Sequence, residues 1–206
     1  MTVFFLKHVI LSEGPHVHNP KNSLSIVKSM LRLTFILLLL FFTGAAFAGL
    51  PLGEVPPLVV LQDDSGSKMD GSPWSSKELI SAKLHVLFYA DPDEGGKNSH
   101  VDDALKAEKY SPKKYATVAI LNMAATWIPD AVINFKLKSR QEEDKSTIFV
   151  KDLEKTLVQQ WGLKDDESNI MLFGKDGKLL YSGAGKFTEN QVQQLLKIIR
   201  DELAIN

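Results

Sequence analysis

The chain contains no cysteine. That absence excludes disulfides, thiol nucleophiles, iron–sulfur clusters and Cys-ligated zinc. An excess of charge is also lacking: 24 Lys+Arg stand against 25 Asp+Glu, for a net charge of -1. A dedicated nucleic-acid binder carries a clustered basic surplus, so the composition speaks against that class. Histidine is scarce, at five, and three of these (His8, His16, His18) fall near the start. No internal repeat and no low-complexity tract is present. What remains is ordinary for a folded protein, with 44% hydrophobic and 24% charged residues, which excludes wholesale disorder.

One long hydrophobic run stands out. Residues 33–42 read LTFILLLLFF, preceded by Lys28 and Arg32 and followed by Ala46-Phe47-Ala48. A basic flank, a short apolar stretch and small residues at an A-x-A site make a secretory signal peptide, with cleavage expected after Ala48. The alternative is a membrane anchor. Residues 33–48 number 16, whereas a spanning helix needs about 20. Residues 1–29 carry Pro15, Pro20 and the three histidines, and fit no signal pattern. Met30 opens a compact signal of 30–48, so residues 1–29 read as an extension from a mis-assigned start. The expected location is the periplasm or another exported compartment, with membrane contact only through an uncleaved signal segment.

Residues 49–206 then form one domain of 158 residues, enough for a single core. Removing 1–48 takes away Lys7, Lys21, Lys28, Arg32 and Glu13, leaving 20 basic and 24 acidic groups. Residues 58–62 form a short apolar strand, ended by the turn-rich 63–67. Residues 83–90 (KLHVLFYA) are nearly continuous in apolar character, as in a strand buried on both faces. Ser99 and Asp102 have capping-box spacing, and Val101, Ala104 and Leu105 give the following helix one apolar stripe. Residues 115–122 and 146–150 read as strands. Pro129 opens a helix whose stripe is Val132, Ile133 and Phe135, up to about Leu137. Residues 169–173 and 178–182 flank Gly174-Lys175-Asp176-Gly177, a hairpin signal. Thr188 and Gln191 form a capping box ahead of Val192, Leu195, Leu196, Ile199 and Leu203 on one helical face. Strands joined through helices imply parallel pairs, and the terminal hairpin adds an antiparallel one. The expected class is α/β: a mixed sheet with helices on both faces, closed by a β-hairpin and a helix.

This order resembles the thioredoxin-like fold. Phe88-Tyr89-Ala90 resembles the aromatic strand end that precedes a redox CxxC, which sets Asp93 and Gly96 where the two cysteines would stand. Ser168 or Asn169 takes the place of the proline before the final hairpin. The chain is similar, more closely, to the YtfJ family of exported, cysteine-free bacterial proteins. The residues that carry this are Ala119-Ile120-Leu121-Asn122, Pro129, Trp161-Gly162-Leu163, Glu167-Ser168, Lys175-Asp176-Gly177 and Val192-Gln193-Gln194. The resemblance implies the fold and supplies no catalytic residues to carry over.

Redox or peroxidase chemistry requires a thiolate, so this chain cannot perform it. The loop Asp91-Pro92-Asp93-Glu94-Gly95-Gly96-Lys97-Asn98-Ser99-His100-Val101-Asp102 has the length of a calcium loop. Asp91, Asp93, Ser99 and Asp102 stand at ligand positions. Position 5 lacks a side-chain oxygen and position 12 is the short Asp102, so a polar strand-to-helix loop is the plainer reading. Residues 183–188 fail as a phosphate loop, because Phe187 intrudes before Thr188. His85 and His100 are too far apart for a zinc pair, and His85 reads as a core residue. Ser168 lacks the setting of a hydrolase nucleophile. Trp74, Trp127 and Trp161 are core or patch residues according to their burial. The expected function is that of a redox-inactive binding or interaction module for a protein or peptide. Its surface would be Asp91 to Lys97 together with Asp165 to Asn169. A calcium-binding variant is the alternative, and a carboxylate enzyme using Asp93 with Glu167 ranks below both.

Overall fold

The structure is a computed structural model and describes residues 49–205. The expected signal segment, residues 30–48, and the expected extension, residues 1–29, lie outside the described residues. The elements in chain order are β1 (Val60–Leu61), β2 (Gly66–Lys68), β3 (Trp74–Ser75), β4 (Leu84–Ala90), α1 (Ser99–Ala107) and β5 (Tyr115–Asn122). They continue with α2 (Asp130–Glu143), β6 (Thr147–Asp152), α3 (Thr156–Trp161), β7 (Asn169–Phe173), β8 (Leu179–Ala184) and α4 (Glu189–Ala204). Six strands form one mixed sheet in the order β2-β6-β5-β4-β7-β8, while β1 and β3 pair separately.

The apolar run of β4 is explained by its central place. It pairs parallel with β5 (Leu87 opposite Val118) and antiparallel with β7 (Leu87 opposite Met171). Alternation then divides its side chains between two cores. Leu87 and Tyr89 face Val118, Ile120, Met171 and Phe173, over which α3 lays Leu157 and Trp161. Leu84 and Val86 face Ile170 and Leu172, covered by Val101 and Leu105 of α1 and by Val192, Leu195, Leu196 and Ile199 of α4. Farther along this second face, Ala119, Leu121 and Phe149 meet Ile133 and Leu137 of α2. Helices therefore cover both faces, as the α/β reading requires.

Local chemistry accounts for the boundaries. The Thr188–Gln191 capping box forms reciprocally at α4. Gly177 takes φ +79 in the β7–β8 hairpin, a conformation costly for any residue with a Cβ. Three expectations need correction. Ser99 does not cap α1: the helix begins at Ser99 and Asn98 is its N-cap residue. The stripe of α2 is Ile133 and Leu137 alone, because Val132 and Phe135 are exposed. The turn-rich segment near residue 66 continues as an edge strand, where Gly66 packs directly on Lys151 of β6. The tryptophans divide cleanly: Trp74 and Trp161 are buried, and Trp127 is exposed.

Candidate functional site

The three parallel strands β4, β5 and β6 end on the same edge of the sheet, and each is followed or ended by a polar residue. These are Asp91, Asn122 and Asp152, all buried. The edge beyond the carboxyl ends of parallel strands is where open α/β sheets place ligands. Asp152 is spent on structure. It accepts from the Tyr89 hydroxyl at 3.1 Å and from the backbone N–H groups of Glu154, Thr156 and Leu157 at 3.3, 2.9 and 3.0 Å. It therefore caps α3 from within the core. The burial of Tyr89 and, after it, the charge of Asp152 push the Tyr89 hydroxyl far above the usual tyrosine range.

Asp91 has no such set of donors. It is 2% exposed and its Oδ1 has no hydrogen-bond partner in the protein. Burial pushes its carboxyl up to about 6; the Asn122 amide beside it counters this, while the charges of Asp165, Asp166 and Asp93 add to it. Asp165 and Asp166 arrive from the loop before β7. One carboxylate oxygen from each of Asp91, Asp165 and Asp166 lies within 4.8 Å of the others. Asn122 donates to Asp165 Oδ1 at 3.0 Å, and Lys155 reaches Asp165 Oδ2 at 2.7 Å. The Lys155 ammonium holds the Asp165 carboxyl below the usual carboxylate range.

The loop from Asp91 to Lys97 is tied to the loop before β7 in two further places. Lys97 bridges Glu94 and Glu167, the latter at 3.0 Å. The Asn98 amide donates to Ser168 Oγ at 3.0 Å and to the Gly185 carbonyl at 2.8 Å, while its oxygen accepts from the Phe187 N–H at 2.9 Å. Its side chain thus joins three segments, and none of its polar atoms is left to cap α1.

Beside these loops a cleft of about 840 Å³ runs between α1 and α2 across the second face of the sheet. Phe88, Ala119, Leu121 and Phe149 line its floor, and Pro92, Gly96 and Ser168 stand at one end. Two of the three residues expected at the degenerate redox-site positions, Gly96 and Ser168, therefore both line it. Asp93 does not line the cleft and is exposed.

The expected calcium loop is not assembled. Asp91 turns inward to Asp165 and Asp166, and Asp93 and Ser99 are exposed. Asp102 pairs with Lys106 at 2.7 Å, one helical turn on. The sequence spacing assumed a loop wrapped around an ion, but α1 begins at Ser99 and carries Asp102 along its own flank. Of the suggested pair, Asp93 is exposed and Glu167 is held by Lys97. His85 is buried in β4, and burial lowers its imidazole below the usual histidine range. The ring of His100 bonds the Phe187 carbonyl at 3.0 Å.

A family described as bacterial protein of unknown function (YtfJ_HI0045) matches residues 58–202. The chain belongs to this family. Among curated relatives, an uncharacterised protein of Haemophilus influenzae is 27% identical over 66% of this chain and 74% of its own length. The uncharacterised protein YtfJ of Escherichia coli is 24% identical over 84% of this chain and 97% of its own length. Among solved structures, the thioredoxin domain of a thiol-disulfide oxidoreductase from Bacteroides vulgatus superposes with a TM-score of 0.51. It is 16% identical, and the match covers 73% of this chain and 99% of that one. This family member therefore has the thioredoxin-like fold without a cysteine to run thiol chemistry. Fold and chemistry have separated here.

The sequence reading missed Asn122, Asp152 and Asn98, and it assigned Asp91 to the wrong company. A common signal was present: Asp91 and Asn122 follow an apolar strand run directly, and Asp152 follows one after Lys151. Three such residues on parallel strands must share one edge of the sheet.

Proposed function

We propose that the protein is an exported, redox-inactive module that binds an extended peptide segment. The cleft between α1 and α2 carries this reading. It has an apolar floor, and Pro92 and Gly96 of the loop from Asp91 to Lys97 line it together with Ser168. Sites of this kind combine an apolar lining with a few placed polar groups. The lack of a thiolate removes the chemistry that such an end would otherwise support. Export rests on the apolar segment at residues 33–48 and the small residues at its end.

The test is an array of extended peptides probed with the protein and with Gly96→Trp. A Cβ at Gly96 meets nothing within 4 Å, so the indole enters the cleft mouth without straining the fold. Peptides carrying apolar side chains are expected to be retained, and Gly96→Trp to abolish retention. Retention unaffected by Gly96→Trp would overturn the reading, as would an array that retains nothing. For export, the N-terminus of the protein recovered from the periplasm is expected to be Gly49. Full-length protein confined to the cytoplasm would refute that part.

A further inference from the structure

The acidic group at the ends of β4 and β5 stands apart from the cleft and is independent of the peptide reading. Among the described residues, Asp91, Asp165 and Asp166 are the one set of three acidic or histidine side chains whose ligand atoms gather this closely. Clustered surface acids alone signify little. Here a second observation bears on them. Asn122 is 0% exposed, its amide nitrogen is engaged with Asp165, and its Oδ1 has no partner in the protein. Buried amide oxygens are almost always met by a donor or a cation. Asp91 Oδ1 is buried and unpartnered beside it. Two buried, unmet oxygens thus belong to side chains of this group, one on Asp91 itself and one on Asn122, which is bonded to Asp165.

We propose that Asp91, Asp165 and Asp166, with the buried Asn122 side chain beside them, bind one hard divalent cation. The donor set is all oxygen, three carboxylates and one amide carbonyl, which suits a hard cation. Charge supports the same conclusion. Three carboxylates with one ammonium, Lys155, leave two negative charges for a divalent ion to neutralise. The carboxylate oxygens lie within 4.8 Å of one another, close enough for one hard cation to span them. Lys155 takes one oxygen of Asp165 and Asn122 the other, and each keeps a second lone pair for the ion.

Thermal unfolding of the full chain, followed while calcium chloride is added at constant ionic strength, tests this. Extracellular calcium sites have dissociation constants of about 0.1–1 mM. At about 10 mM calcium the midpoint is expected to rise by about 3–8 °C. Asp166→Asn is the main variant, because Asp166 is exposed and its φ of +54 is one that Asn tolerates. Asp91→Asn is the isosteric partner. Each is expected to weaken binding at least about tenfold, while Asp102→Asn leaves it unchanged. The proposal is overturned if calcium produces no shift beyond that of the matched monovalent salt. It is also overturned if both variants respond like the parent. Loss of the response in Asp102→Asn alone would place the ion on the loop entering α1 and refute this ligand set.

Discussion

Replacing Asp152 with alanine tests whether a carboxylate buried at the end of β6 holds α3 on the sheet. The wild-type side chain is 0% exposed and accepts four hydrogen bonds, three from backbone N–H groups and one from the Tyr89 hydroxyl. Bonds to a charged group contribute about 1.5–3 kcal/mol each, and donors left buried without an acceptor add a desolvation cost. The contributions are not additive, because water enters part of the gap. The expected loss is about 4 kcal/mol, a large share of the 5–15 kcal/mol typical of a domain. Tyr89→Phe removes one bond and leaves the three backbone bonds intact, so about 1–1.5 kcal/mol is expected. Urea unfolding followed by the fluorescence of the buried Trp74 and Trp161 provides the readout. With a slope of about 2 kcal/mol per molar urea, Asp152→Ala shifts the midpoint down by about 2 M, and Tyr89→Phe by well under 1 M. A loss below about 1 kcal/mol for Asp152→Ala would refute the argument. Equal losses for the two variants would also refute it, since they would give the phenol the role assigned to the carboxylate.

Three further outcomes follow from the geometry. Gly66→Ala is expected to destabilise the protein by more than about 3 kcal/mol, because its Cβ would stand 2.0 Å from the Lys151 carbonyl oxygen at φ +142; a urea midpoint within error of the parent would contradict this. Thr188→Ala removes half of the capping box of α4 and should cost about 1 kcal/mol, measured in the same titration. His85 has a folded-state pKa below its ordinary value of 6.5 because burial disfavours the imidazolium. Its contribution is therefore fully present above pH 6.5 and is lost as pH falls from 6.5 through the lower folded value. His85→Phe should flatten the stability profile over that acid window, and an unchanged slope would show that the ring does not govern it.

The parts of the fold legible in the sequence were those whose pattern is set by burial alone. Strands β4, β5 and β7 carry apolar runs because both of their faces are covered, and α4 advertises itself through Thr188 and Gln191. Helix α3 has six residues, too few for a period, and is held by Asp152 rather than by a stripe of its own. Strand β2 consists of Gly66, Ser67 and Lys68, whose composition signals a turn, and only the close approach of Gly66 to Lys151 makes it a strand. The candidate site was legible in its location and not in its membership. The end of β4 was identified, but Asp91 meets Asp165, Asp166 and Asn122 only through the pairing order of the sheet. Local spacing cannot express that order. It offered Asp93, Ser99 and Asp102 instead, the neighbours in sequence.

The Asn98 side chain has a consequence for how the molecule breathes. Its amide is shared by Ser168, Gly185 and Phe187, and the Gly185 N–H in turn donates to the Ser168 carbonyl. None of these segments can lift away without breaking the bonds of the others. Local opening at this end is therefore expected to be one event with one free energy, so that the Gly185 and Phe187 amides exchange their hydrogens with solvent at matching protection.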